Sequence, residues 1–178
     1  MVRAVAVSAA ILLPLTLAAC GGSSESDTTS QAALLQKGID EANAGNFGAA
    51  KDDFQKLLDQ DPQNKYALYN LGYIAQRGGN RTDAEKEYRL SLASDPAYGP
   101  ALYNLAIAVT ADGDTKGAIA LYRKAIAANE NDPGAHFNLG LLLRQTGKKT
   151  EGNAEVQTAV RLNPSLAASA RAQGIPLQ

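Results

Sequence analysis

Asn70, Asn104 and Asn138 recur at one fixed spacing. Each follows a ring-bearing residue, Tyr69, Tyr103 and Phe137 in turn, and three places further on stand Tyr73, Ile107 and Leu141. A side-chain amide carries both a donor and an acceptor, so a row of them can bond the backbone of an extended chain without reading its side chains. The neighbouring rings and aliphatic groups would form an apolar floor beside that row. Tyr66, Tyr69 and Tyr73 share one helical face, and Tyr suits a surface with one end wet. The chemistry on offer is non-covalent recognition of a chain.

Other chemistries lack their residues. His136 is the sole histidine and falls on an inward-packing helix position, so a hydrogen-bonded core imidazole is expected rather than a base. One Cys excludes an internal disulfide framework and multi-cysteine metal sites. Seventeen Lys and Arg against 18 Asp and Glu exclude the broad basic field of a nucleic-acid binder. Gly21-Gly22 and Gly78-Gly79 lack the strand-to-helix setting of a phosphate loop. No catalytic residue, metal, cofactor, nucleic acid or small-molecule substrate is expected, and the chain is read as a non-enzyme.

These residues must be held by some scaffold, and the asparagine spacing, a 34-residue period, supplies it. Glycines fall in phase at Gly45, Gly79, Gly113 and Gly147; small residues at Ala50, Ala84, Ala118 and Gly152; bulky ones at Phe54, Tyr88, Tyr122 and Val156. Prolines fall at Pro62, Pro96 and Pro164, with Glu130 in the remaining slot. Each unit reads as two helices. Leu68, Leu71, Tyr73 and Ala75 pattern a helix A that ends at Gly79, where a left-handed residue is wanted. Thr82-Asp83-Ala84-Glu85 reads as a capping box starting helix B, which Asp95-Pro96 stops. Gly72 and Ala84 would let the two helices cross closely.

This pattern resembles the tetratricopeptide repeat, whose Leu, Leu-Gly, Ala, aromatic and Pro positions match Leu68, Leu71-Gly72, Ala84, Tyr88 and Pro96. The resemblance implies an all-α fold: a right-handed α-solenoid of four helix-turn-helix repeats, 31–64, 65–98, 99–132 and 133–166, with a capping helix and tail over 167–178. It also implies that the A helices line a concave groove, with Asn70, Asn104 and Asn138 pointing into it. Lys37 and Glu41 replace usually apolar residues, so the first repeat is atypical. The slots that clamp a terminal carboxylate in chaperone-tail binders hold Ala32, Tyr66, Pro100 and Gly134, none of them cationic.

The N-terminus has a separate reading. Arg3 precedes an almost wholly apolar run from Ala4 to Ala19, shorter than the ~20 residues of a spanning helix and broken by Pro14. Leu17-Ala18-Ala19-Cys20 resembles a bacterial lipobox, which implies a signal peptide over 1–19 and a lipidated Cys20. Two acyl chains make a stable anchor where one does not. Residues 20–30 hold no large apolar side chain and read as a flexible tether.

Charge is segregated between the two helix types. The A segments 65–77, 99–111 and 133–145 carry only Lys65, Arg77 and Arg144, and no acid, whereas the B segments 80–94, 114–128 and 148–162 carry fifteen charges. The expected protein is an envelope lipoprotein on the extracytoplasmic face, binding a protein or peptide partner in its groove. The alternatives are a pilot lipoprotein that assembles an envelope complex through its outer face, and an accessory activator of a cell-wall enzyme. Changing all three asparagines to Ala is expected to spare folding, Ala being the better helix former. Cys20→Ala is expected to abolish membrane anchoring, read as loss of the protein from the detergent phase; unchanged partitioning refutes the lipobox reading.

Overall fold

The computed structural model describes residues 25–177, with side chains from residue 30 onward. The expected signal segment 1–19 and Cys20 lie outside the described residues. Nine α-helices follow in order among the described residues: α1 Glu25–Asn43, α2 Phe47–Gln60, α3 Lys65–Arg77, α4 Arg81–Ser94, α5 Gly99–Ala111, α6 Thr115–Ala128, α7 Pro133–Gln145, α8 Lys149–Leu162 and α9 Ala167–Ala172. A 3-10 turn, Pro164–Leu166, precedes α9. The described chain is all-helical and forms a tetratricopeptide-like solenoid, with odd-numbered helices α1 to α7 as the A helices. The A helices touch from repeat to repeat, α1 on α3 and α3 on α5, while no two B helices approach to that degree. The stack therefore curves with the A helices inside.

Local chemistry sets the corners. α3 ends at Arg77 and Gly79 adopts φ +78°. The Gly79 N–H donates to the Gln76 carbonyl and the Asn80 N–H to that of Ala75, satisfying the last carbonyls of the helix. The next helix is capped by Asn80, not by the box expected at Thr82: Asn80 Oδ1 accepts the Asp83 N–H at 3.2 Å. Asn80 immediately follows the left-handed Gly79 and has non-helical φ and ψ, whereas Thr82 is already inside α4. The corners from B to A rest on Asp61, Asp95, Asn129 and Asn163, which share one repeat position. Each side-chain oxygen accepts the N–H two residues on, at 3.0–3.2 Å. This Asx turn holds the corner at Glu130 without a proline.

Close approach fixes the pairing within each repeat. A Cβ at Gly72 would fall 2.7 Å from the Tyr88 ring. In the fourth repeat Gly140 and Gly152 face one another, and a Cβ on Gly140 would fall 2.6 Å from the Gly152 carbonyl oxygen. The buried core behind these crossings runs through repeats two to four, with Tyr88, Leu105, Tyr122, Leu139 and Leu143 among its members. Repeat one closes a separate cluster around Phe54 and Leu57.

The ends differ from the middle. Lys37 lies in the terminal repeat, where its side chain stays 61% exposed and reaches Asp53 at 2.8 Å. α1 starts at Glu25, inside the stretch 20–30 expected to be a tether. Lengthening a formed helix fixes one residue for each hydrogen bond gained, which is far easier than nucleating it. At the other end Gly174 occupies the repeat position of Gly140 but takes φ +64° and ends the fifth A helix early. Ile175 then turns back and is buried against the fourth repeat.

Gly79→Ala should cost about 1 kcal/mol, because Ala resists the left-handed conformation. Gly140→Ala should cost about 1–3 kcal/mol, since its methyl meets a backbone carbonyl that cannot yield. Urea midpoints measure both, and equal stability in either variant contradicts the geometry described.

Candidate functional site

The A-helix face carries the nine residues expected to form the groove, and the structure divides them. Asn70, Tyr69, Tyr73, Asn104 and Ile107 are half-buried. Tyr103, Phe137, Asn138 and Leu141 are buried, Phe137 at 1% and Asn138 at 2% exposure. These last four do not line an open groove, which corrects the expectation. For Phe137 and Leu141 the reason is the C-terminal segment: Leu166, Ala170 and Ile175 join both in one buried cluster. α9 and its return tail close the last repeat.

The asparagines bond along the solenoid. Asn104 Nδ2 donates to the Tyr69 hydroxyl at 3.0 Å, and Asn138 Nδ2 to the Tyr103 hydroxyl at 3.2 Å. Each rung joins an amide to the phenol of the preceding repeat. Asn70 finds Leu35 in that slot, which has no hydroxyl, and its Nδ2 turns to the Tyr66 carbonyl of its own helix at 2.8 Å. Phe137 needs no hydroxyl, because the slot that would hold the next amide is Ala172. The alternation Tyr, Tyr, Phe is thus read out by the ladder. Asn70 and Asn104 spend one N–H inside and keep a carbonyl oxygen and a second N–H outside that ladder. Asn138 is committed to the interior, where its Oδ1 and the Tyr122 hydroxyl have no partner of good geometry. Replacing Asn138 therefore alters the interior of the solenoid as well as its A-helix face.

Sequence reasoning placed Lys65 on the A face and Asp95 at a helix stop but missed their pairing, and it missed Tyr98 altogether. Lys65 Nζ meets Asp95 at 2.6 Å and lies 5.1 Å and 5.4 Å from the ring centres of Tyr66 and Tyr98. Tyr98 stands nearly perpendicular to both Tyr66 and Tyr69, with centres 5.6 Å and 5.4 Å away. The signal was available. Tyr98 occupies the slot of Asn64 and Asp132, whose side chains cap α3 and α7, yet it caps nothing. A lost cap costs about 1 kcal/mol, which edge-to-face ring contacts offset.

Electrostatics fix protonation states here. Burial pushes the Tyr69 hydroxyl up to about 12, with the Asn104 amide pulling the other way, so it stays neutral. The hydrogen bond with Lys65 holds the Asp95 carboxyl below its ordinary range, and the same bond raises the Lys65 ammonium. His136 is 8% exposed; its Nδ1 meets Glu155 at 2.6 Å and its Nε2 the Glu130 carbonyl at 3.0 Å. Both ring nitrogens are engaged, as expected of a core imidazole. Among the described residues no group of three His, Cys, Asp or Glu side chains could hold a metal ion. No described helix is long and apolar enough to cross a membrane.

Two family descriptions match, "Tetratricopeptide repeat" over residues 35–99 and "TPR repeat" over residues 108–147. The chain is a tetratricopeptide-repeat protein. Solved structures agree on the fold. PilF of Pseudomonas aeruginosa is 25% identical with a TM-score of 0.70, over 79% of this chain and 64% of PilF. MamA of Desulfovibrio magneticus RS-1 is 24% identical with a TM-score of 0.63, over 76% of each chain. TTC0263, a thermophilic TPR protein of Thermus thermophilus, is 22% identical with a TM-score of 0.65, over 81% of this chain and 83% of that one. No curated protein matches the sequence. Since 195 solved chains are similar, the fold by itself selects no partner. Tetratricopeptide-repeat proteins are protein-interaction scaffolds, generally without catalysis of their own.

Two predictions test the site's framework. Tyr103→Phe leaves a buried amide N–H unpaired and should cost about 1–3 kcal/mol, whereas Tyr69→Phe at the half-exposed rung should cost about 1 kcal/mol or less. Equal losses in urea melts contradict the division into open and closed halves. The Lys65–Asp95 pair makes its acid-side contribution above the usual carboxylate range and loses it as pH falls through the depressed value of Asp95. Thermal midpoints of wild type and Asp95→Asn should therefore differ near pH 6 and converge near pH 2; a constant gap contradicts the pairing.

Proposed function

We propose that this protein is a lipid-anchored scaffold on the extracytoplasmic face of a bacterial membrane, and that it holds a protein or peptide segment in the groove of its first three repeats. One observation carries the binding reading. Asn70 and Asn104 each keep a carbonyl oxygen and an N–H to spare on half-buried helix faces that bear no acid, beside Tyr66, Tyr69 and Tyr73. That pairing of donor and acceptor suits an extended backbone, and the rings suit its apolar side chains. The anchor reading is supported by Cys20, the only thiol, standing directly after Leu17-Ala18-Ala19 behind a short apolar run.

Docking through the outer face has one observation in its favour. Leu90, on the outer side of α4, is 42% exposed. The discriminating experiment starts with crosslinking in intact membranes, followed by titration calorimetry against the captured partner. Asn70→Ala with Asn104→Ala should weaken binding about ten- to a hundredfold, at ~0.5–1.5 kcal/mol for each bond lost. Leu90→Ser should leave it unchanged. The reverse result moves the interface to the outer face.

A further inference from the structure

One stripe of each A helix faces the groove, and its residues recur at i, i+4, i+7 and i+11. On α3 that stripe is Tyr66, Asn70, Tyr73 and Arg77, the first three half-buried and Arg77 exposed. Leu68, Leu71 and Gly72 lie on the other side of α3 and are buried. The corresponding residues of α1 and α5 are all uncharged, Gln36 and Asn104 among them. Arg77 is therefore the only charge on the groove stripe of the first three A helices. No ion pair engages it among the described residues, in contrast to Lys65, which Asp95 holds at 2.6 Å. The two asparagines add a constraint of spacing. Adjacent A helices lie ~8–10 Å apart. A polyproline II segment brings the same face round every three residues, about 9 Å. A β-strand does so every two residues, about 7 Å, and at three residues presents its opposite face. Like amides on neighbouring A helices thus meet like carbonyls, at i and i+3, only on the polyproline II segment.

We propose that the occupant of this groove is a proline-rich segment in the polyproline II conformation, carrying an acidic side chain that meets Arg77. The inference rests on the groove reading above and adds the conformation and charge of the guest. Carbonyls of such a segment make no internal hydrogen bonds, and Asn70 and Asn104 each have one N–H to give them. Half-buried Tyr66, Tyr69, Tyr73 and Tyr98 supply the rings against which prolyl side chains dock. Arg77 stands two turns beyond Asn70 on α3, about 10 Å away, a distance that an Arg and a Glu side chain span together. The segment crosses α1, α3 and α5 and stops short of α7, whose Phe137 and Leu141 are enclosed.

Dye-labelled peptides of about four polyproline II turns test this, read by fluorescence anisotropy on the folded protein at low salt. Repeats of Pro-Pro-Glu, Pro-Pro-Gln and Pro-Pro-Lys place every third residue along one edge of the helix. A Thr-Thr-Glu repeat carries the same charge in a strand-favouring sequence. Pro-Pro-Glu should bind about two- to fivefold tighter than Pro-Pro-Gln, and the gap should close near ~1 M salt. Thr-Thr-Glu should bind about three- to tenfold weaker than Pro-Pro-Glu, having lost one amide contact. Arg77→Glu, a change at an exposed position, should invert the preference and favour Pro-Pro-Lys. Equal binding of Pro-Pro-Glu and Pro-Pro-Gln, an unchanged preference in Arg77→Glu, or equally tight Thr-Thr-Glu overturns the inference, and so does failure of every probe to bind. The groove reading survives these results if Asn70→Ala with Asn104→Ala still weakens a bound probe or the partner captured from membranes. It falls as well if that double variant holds both as the wild type does.

Discussion

Everything in this molecule depends on how closely helix A can cross helix B. The pair meets at positions where one side chain is missing, Gly72 under Tyr88 and Gly140 against Gly152. A large ring is fully buried at the crossings of the middle repeats, Tyr88 over Gly72 and Tyr122 in the repeat where Ala106 takes that position. A single pair still leaves an apolar flank open, so each repeat is stable only against its neighbours. The periodicity of the sequence is the record of that requirement. Curvature, the groove and the exposed B face follow from stacking similar crossings.

The A face has two duties that compete for the same residues. The amides and phenols there tie the third and fourth repeats to the ones before them, and under the proposed function the same groups would serve a guest. The structure settles the competition by position. At α3 and α5 an amide keeps part of its hydrogen-bonding capacity after bonding internally. At α7 the amide is enclosed, and a truncated fifth helix lies over its neighbour Phe137. Spare hydrogen-bonding capacity is thus concentrated at α3 and α5 and structural commitment at α7.

The repeat, its helices and its glycine corners were legible in the sequence, because backbone constraints leave residue-specific marks at a fixed period. Gly79 and Gly113 could be read that way, and so could the close crossing at Gly72. The cap at Asn80 was misread as Thr82 because both are good caps close together, and only the backbone angles distinguish them. A capping helix was legible, but not that it would bury Phe137 and Leu141. They hold the same repeat positions as Tyr69 and Tyr73, and the difference comes from a segment further along the chain. Gly174 marked that segment's early end, since it repeats the position of Gly140, but a glycine at a helix-A slot ordinarily signals close packing rather than termination.

The separate cluster in the first repeat has a dynamic consequence. Phe54 and Leu57 close on Ala67 and Leu71, apart from the continuous core behind repeats two to four. Cooperative units in a linear array open from whichever end is least tied in. Amide hydrogens of α1 and α2 will therefore exchange with solvent ahead of those in α5 to α8. One terminal hairpin can open while the rest of the solenoid stays folded.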